Sequence, residues 1–243
     1  MLNDQQAQLR FHPRSGTVLL AAQDDCKRSA KYVSKFNNSQ FWKRSFTRNL
    51  FVWIEAWLHL VKVDAFNHHQ QNARVLYLLS HLIDRKVPKQ LLTEVIPLTE
   101  LHLLLDQRVD IKDNGHCKVS DSYPTFERNF RFAMRMLTRV YGLSFEPEYS
   151  APGWTSLIIA STIRNRITHP KERMDITSGE LDTIIQGHKW FQTLFASYHD
   201  SENRRRAEFE ESLKQWFFSL PDNKKVAIWQ LQQKGLLFNI LSM

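Results

Sequence analysis

Apolar residues recur at three- and four-residue steps along most of this chain, which is the spacing of one face of an α-helix. The first strong case is the segment 39–63, where the pattern predicts a long helix with a broad apolar face. The residues predicted on that face are Phe41, Phe46, Leu50, Trp53, Ile54, Trp57, Leu58 and Val61. Glu55 falls among them, so its carboxylate is expected either on the polar side of the helix or buried against a partner.

The same periodicity predicts helices in the rest of the chain, at 72–84, 95–109, 125–143, 155–168, 179–199, 201–220 and 223–241. Thr155 or Ser156, after Gly153, is expected to cap the helix at 155–168. One stretch breaks the pattern: Asn114-Gly115 stands between two short runs that contain β-branched residues, which is a hairpin signal. The predicted fold class is therefore all-α, with a short β-hairpin insertion.

Composition adds a preference for polyanionic partners. The 243 residues suit one largish domain or a domain with a helical extension, and the formal charge of +8 favours binding to a phosphate backbone. Cys26 and Cys117 are far apart, so neither a disulfide framework nor a thiolate zinc site is expected. The N-terminus shows no signal sequence, and the longest apolar run, 50–61, is too short to span a membrane. These features predict a soluble cytoplasmic protein.

The segment 162–171, TIRNRITHPK, concentrates groups that can do chemistry. Asn165 and His169 are four residues apart, as are Arg164 and Thr168, so each pair shares a helix face. Because the residue before a proline is disfavoured in the α conformation, His169 is expected to leave the helix. The sequence thus predicts a helix end that carries a titratable group with two guanidinium groups close behind it.

These residue types match RNA cleavage by the RNA's own 2′-hydroxyl. Histidine transfers protons near neutral pH, and arginine offers a permanent charge in a planar fork that fits phosphate oxygens. His169 is thus a candidate general acid/base and Arg164 a candidate phosphate contact. Asn165 is a candidate for orienting His169 by hydrogen bonding. Arg166 and Thr168 are secondary candidates, and the scheme needs no metal or cofactor.

Arg164-Asn165-Arg166-Ile167-Thr168-His169 resembles the R-x(4–6)-H motif of the HEPN superfamily (higher eukaryotes and prokaryotes nucleotide-binding), in its form with a polar residue after the arginine. The resemblance covers roughly residues 39–200, within a predicted domain 1–200 and before a helical extension, 201–243. It implies an HEPN-like helical bundle that dimerises so that two motifs form one composite active site. It also implies metal-independent endoribonuclease activity, as in toxins and antiviral defence effectors, with an antitoxin or regulatory protein as a possible partner.

Other interpretations of the same residues stay open. Some HEPN domains only bind RNA, dimerise or act as scaffolds, and a histidine before proline is also a common polar helix end. Arg74 and His81 fit the motif spacing too, but Val75 supplies no polar residue after the arginine. The tyrosine that follows the histidine in some HEPN toxins is missing, since Pro170 and Lys171 occupy those positions; this puts an antitoxin mechanism based on tyrosine modification in doubt.

A stripe of arginines offers a second candidate site, because evenly spaced cations can follow a phosphate backbone. Its members are the candidate RNA-binding residues Arg128, Arg131, Arg135 and Arg139. The alternative is an ordinary solvated helix face. The seven tryptophans can stack on bases, but at their spacings they more often lie in a core or a dimer interface.

Overall fold

The structure, a computed structural model, describes residues 13–82, 96–122, 124–169 and 174–233. Within these ranges the protein is mostly helical, with one small antiparallel sheet, so the predicted all-α class with a hairpin insertion is confirmed at that level. The elements are α1 (Pro13–Lys35), α2 (Gln40–Leu82), α3 (Leu98–Leu104), β1 (Gln107–Ile111), β2 (Cys117–Asp121), α4 (Phe126–Tyr141), α5 (Pro152–Thr168), α6 (Ser178–Phe218) and α7 (Asp222–Gln233).

The described residues belong to two compact units that each draw on separate parts of the chain. The first unit takes them from Met1–Asp64, Ser122–Met134 and Glu146–Ala196. The second takes them from Ala65–Asp121, Arg135–Phe145 and Ser197–Met243. The division into a domain 1–200 and an extension 201–243 stays a prediction.

Two helices are longer than the periodicity predicts, and one was not predicted at all. Helix α2 joins the segments 39–63 and 72–84 as far as residue 82, and α6 joins 179–199 and 201–220 up to residue 218. The linking residues, 64–71 and 200, contain neither Gly nor Pro, so nothing in them stops a helix. Helix α1 was missed because its apolar positions are sparse. Positions 83–84, 95 and 234–241 of the predicted helices lie outside the described residues.

The apolar face of α2 is confirmed in the first unit, with one correction. From Phe46 to Val61 every residue predicted on it is buried, whereas Phe41 is 63% exposed. On a straight helix Phe41 lies ~140° from Phe46, so it leaves the buried face. Aromatic residues of α2 and α6 form the centre of this core, with the rings of Trp53 and Phe191 4.9 Å apart and those of Trp57 and Phe191 5.4 Å apart.

The hairpin forms as predicted from Asn114-Gly115. Strands β1 and β2 pair antiparallel, with Val109 opposite Val119 and Ile111 opposite Cys117. Gly115 has a φ of 76°, a left-handed conformation that glycine adopts without a steric penalty. The hairpin belongs to the second unit, where the side chain of Arg205 also donates a hydrogen bond to the Tyr141 carbonyl (3.2 Å).

Helix α5 begins earlier than predicted. Its N-cap is Ala151 and Pro152 stands at its first position, so the expected cap at Thr155 or Ser156 is wrong. Proline suits this place because its fixed φ matches a helix and its missing N–H would be unpaired there anyway. Helix α5 lies directly against α6, since a Cβ added at Gly187 would come within 2.8 Å of the Leu157 Cα. None of the described helices is both long enough and apolar enough to cross a membrane.

Candidate functional site

The residues singled out by the motif lie in the last turn of α5 and just after it, in the first unit. Helix α5 ends at Thr168, and His169 is its C-cap, with φ −120° and ψ 61°. The predicted exit of His169 from the helix is therefore confirmed. The His169 N–H still donates to the Asn165 carbonyl (3.0 Å), and the side chain is exposed. Pro170 and Lys171 lie outside the described residues.

The guanidinium group of Arg164 is held by side chains of α2. It forms a salt bridge with Glu55 and lies 5.8 Å from the centre of the Phe51 ring, within the range of a cation–π contact. The Arg164 side chain is 27% exposed and that of Glu55 is 47% exposed. Glu55 and Phe51 thus contact one side of the guanidinium group, and solvent reaches the rest of it. Of the two positions expected for Glu55, the structure shows the polar side of α2, with a cationic partner.

The environment of Glu55 acts on its protonation in two opposite directions. Loss of hydration raises the pKa of the carboxyl group above its usual value, and the charge and hydrogen bond of Arg164 oppose that rise. The net result is a raised pKa. Loss of hydration thus outweighs the effect of Arg164 on the carboxyl group.

Asn165 and Thr168 also contact Arg164. The Asn165 Oδ1 accepts a hydrogen bond from Arg164 Nη1 (3.0 Å), and the Thr168 hydroxyl donates to the Arg164 carbonyl (2.7 Å). Within the described part of the chain, no side-chain hydrogen bond joins Asn165 to His169. The amide thus lies where it orients the arginine, not the imidazole, in this structure.

Arg166 points to α6 and joins its first turn. It forms a salt bridge with Glu180, whose carboxylate also accepts the Thr177 N–H (2.9 Å) while the Thr177 hydroxyl accepts the Glu180 N–H (3.2 Å). This reciprocal pair is a capping box. Partial burial raises the pKa of Glu180, but the hydrogen bonds from Thr177 and Arg166 outweigh it and leave the pKa lowered. Arg166 is therefore occupied in joining α5 to α6.

The N-terminal half of α2 anchors the end of α5 and the chain that follows it. Arg48 donates to the Ile167 carbonyl (3.0 Å), one of the last carbonyls of α5, and Arg44 donates to the Met174 carbonyl (3.1 Å). Gln40 exchanges two hydrogen bonds with the backbone of Ile176, at 2.8 and 3.1 Å. Sequence reasoning missed these anchors. Their spacing of four residues, at 40, 44 and 48, is the signal that could have found them.

Two side chains of the arginine stripe of α4 contact protein groups. Arg131 pairs with Glu127 (3.0 Å) and lies 4.3 Å from the centre of the Tyr149 ring, and Arg139 forms a salt bridge with Glu100. The two remaining members, Arg128 and Arg135, are exposed. Two of the four candidate RNA-binding residues are thus already bound to protein groups. The proposed groove stays a prediction.

The end of α5 therefore presents a guanidinium, an amide, a hydroxyl and an imidazole on the surface of the first unit. Such a set can bind a phosphate and transfer a proton. Among the described residues, no three His, Cys, Asp or Glu side chains cluster as metal ligands. The chain matches no family model, no curated protein and no solved structure.

Proposed function

We propose that this protein is an HEPN-type endoribonuclease that cleaves RNA by transesterification through the 2′-hydroxyl, without a metal. The observation that supports this most is the state of Arg164, which is held by Glu55 and Asn165 but still open to solvent, at the same helix end as the exposed His169. A phosphate contact must be oriented and accessible at once. A guanidinium fixed on one side only meets both needs.

In this mechanism each residue has one role. His169 is the general acid/base, which takes the proton of the 2′-hydroxyl or returns one to the departing 5′-oxygen. Arg164 contacts the phosphorane, where charge increases in the transition state. Asn165 and Glu55 are positioning residues that act through Arg164. Arg166 and Thr168 contribute to the shape of the helix end.

The reaction needs an acid and a base, and the motif supplies one histidine. Two protomers that place their α5 ends together would supply both groups, so the proposal includes a homodimer with a composite site. A toxin or antiviral defence effector in the cytoplasm is the biological role that fits such an activity. An antitoxin or other regulatory protein would then be its partner.

The test is cleavage of a labelled RNA in the presence of EDTA. Wild-type protein is expected to cleave, and His169→Ala is expected to lower the rate by ~100-fold or more, since a positioned acid/base contributes that much. His116→Ala, at an exposed histidine of the hairpin, is the matched control and should keep full activity. An RNA with 2′-deoxy substitutions should resist cleavage. Full activity of His169→Ala would sink the proposal.

A second candidate function is non-catalytic: an HEPN protein that binds RNA, dimerises or acts as a scaffold. It is favoured by the fact that Arg164 is already paired with a carboxylate, and that no side-chain hydrogen bond to a described residue orients His169. This candidate predicts salt-dependent RNA binding with no cleavage by any variant. Binding that coincides with cleavage dependent on His169 would exclude it.

A further inference from the structure

The corner where α1 meets α2 carries a group of aromatic rings at the surface. We define this aromatic corner as Tyr32, Phe36, Phe41 and Trp42. The rings of Tyr32 and Trp42 stack with their centres 4.4 Å apart, and Phe41 meets Trp42 edge to face at 4.9 Å. Tyr32 is 41% exposed, Phe36 46% and Phe41 63%. These rings are positioned by contacts with one another and are partly exposed to solvent, so they can stack on a flat ligand.

The segment of chain that forms the aromatic corner is rich in basic residues. Between residues 26 and 54 the chain contains no Asp or Glu. Its basic residues there are Lys27, Arg28, Lys31, Lys35, Lys43, Arg44 and Arg48. Lys35 lies over the Phe36 ring at 5.5 Å, and Arg44 is partly balanced by Asp175 at 3.9 Å. Basic side chains among exposed rings are the combination with which proteins bind single-stranded nucleic acid.

Four exposed side chains of α2 lie on one side of the helix between the aromatic corner and the candidate active site. Phe41, Arg48, Val52 and Glu55 follow one another at three-, four- and seven-residue steps, which keeps them on one side of a helix, and all four are exposed. Fourteen residues separate Phe41 from Glu55, which corresponds to ~21 Å along the helix axis. At about 3.4 Å per stacked nucleotide, roughly six nucleotides cover that distance.

We propose that the aromatic corner is a base-stacking site for single-stranded RNA, and that it binds the strand several nucleotides away from the phosphate that is cleaved at Arg164. This inference rests on the proposed function for the identity of the ligand. Arg48 lies between the two places and is exposed; one of its N–H groups donates to the Ile167 carbonyl, and its guanidinium has further N–H groups that a phosphate of the strand can accept. The protein therefore selects unpaired RNA, because a duplex does not expose the faces of its bases for stacking.

The surroundings favour RNA over a protein partner. A site for a second copy of this chain is expected to be predominantly apolar at its centre and depleted in lysine. Here Lys31 and Lys35 lie on the same corner as the rings, and a second copy would bring the same positive charges against them. A polyanion removes this repulsion and releases counterions.

The experiment measures the affinity of a labelled, unstructured oligouridine by fluorescence anisotropy, in a His169→Ala background. Phe41→Leu keeps an apolar side chain but removes the ring, and we expect it to weaken binding about fivefold to tenfold. Phe41→Trp is expected to bind at least as well as the parent protein. Phe218→Leu is the matched control because Phe218 is 64% exposed on α6, and it should leave the affinity unchanged.

A second ligand separates stacking from charge. An abasic strand of the same length keeps the phosphates, so Phe41→Leu should not weaken its binding. If the parent protein and Phe41→Leu bind oligouridine with equal affinity, there is no stacking site at Phe41. Cleavage of RNA by the wild-type protein would then show that the proposed function still holds. Absence of RNA binding by every variant would overturn the inference and the proposed function together. Weaker binding by Phe41→Leu, together with RNA cleavage that does not depend on His169, would support the stacking site and overturn the proposed role of His169.

Analytical sedimentation of the same proteins tests the alternative that a second copy of this chain binds the aromatic corner. A dimer that dissociates in Phe41→Leu but not in Phe218→Leu, with unchanged affinity for oligouridine, would assign the aromatic corner to self-association and overturn the proposal. A mass that is the same for both variants, together with the fivefold to tenfold loss of affinity, would support it.

Discussion

Within the first unit, helix α2 has two faces built from similar residues that do different work. The buried face carries Trp53 and Trp57, both almost fully enclosed by rings of α6. The other face exposes Phe41, Val52 and Glu55. Both faces contain large apolar side chains, but only the first gains free energy from removing them from water. The comparison teaches that an aromatic residue on this helix contributes to stability or to recognition according to its angle around the axis.

The end of α5 depends on both faces. The buried face fixes where α2 lies against α6, and the polar positions beside it then reach α5 through Arg48 and Glu55. Substitutions on the buried face should therefore destabilise the fold and the candidate site together. Loss of an exposed residue should leave the fold and change only what the surface binds or how Arg164 is oriented.

The largest difference between the faces is expected from truncation of Trp53. Trp53→Ala should lower the free energy of unfolding by about 3–5 kcal/mol, because it leaves a cavity among the rings of Phe191, Phe195 and His188. Phe41→Ala on the exposed face should change it by less than ~0.5 kcal/mol. Urea denaturation of the three proteins gives both values. Similar losses for the two variants would contradict the assignment of the faces.

The next effect is a dependence of stability on pH from His188, which packs against the buried face. Burial lowers the pKa of His188 to about 4, and its imidazole lies edge to face with Phe46 and 3.9 Å from the Cys26 Sγ. Its folded pKa is below its usual value of 6.5, so the unfolded chain takes up the proton first. Stability should therefore fall as the pH drops from 6.5 to 4, by about 3 kcal/mol.

Thermal or urea unfolding across this pH range tests the effect. His188→Gln should flatten the fall in stability between pH 6.5 and 4 relative to the wild-type protein. His59→Gln, at an exposed position of α2, is the matched control. If His188→Gln and the wild-type protein lose stability in parallel over this range, the buried imidazole is not the cause.

A small change in stability, with a larger change in activity, is expected at Glu55 on the exposed face. Glu55→Gln should alter the free energy of unfolding by less than about 1 kcal/mol, since the pair with Arg164 is partly exposed and screened by water. Under the proposed function Glu55→Gln should lower kcat by tenfold or more with little change in KM. Without the Glu55 carboxylate the Arg164 guanidinium is no longer held where it contacts the phosphate in the transition state.

Glu180→Gln is the matched control for this pair. It removes the ionic partner of Arg166 but keeps a side chain that can complete the capping box with Thr177. It should leave kcat close to the wild-type value. Equal losses of kcat in Glu55→Gln and Glu180→Gln would show a general effect of the helix end and would argue against a specific role for Glu55.

The sequence was sufficient for the features that depend on neighbours along the chain. The hairpin was predictable from Asn114-Gly115, and the departure of His169 from α5 was predictable from Pro170. The start of α5 is predicted three residues too late, because Thr155 and Ser156 are also suitable caps, whereas the fixed φ of Pro152 suits the first helical turn. The length of α2 is underestimated because the helical spacing of apolar residues is interrupted between 64 and 71, although no residue there stops a helix.

The partners of the candidate site could not be predicted from periodicity. Glu55 and Arg164 are 109 residues apart, and Arg48 and Ile167 are 119 apart, so only the packing of α2 beside α5 brings them together. The sequence by itself determined which residue types were available: the motif, the acid-free basic segment and the apolar spacing. Tertiary structure alone decided that Glu55 pairs with Arg164 and that Arg166 joins α6, because contacts between side chains of different helices depend on the angle and distance between those helices.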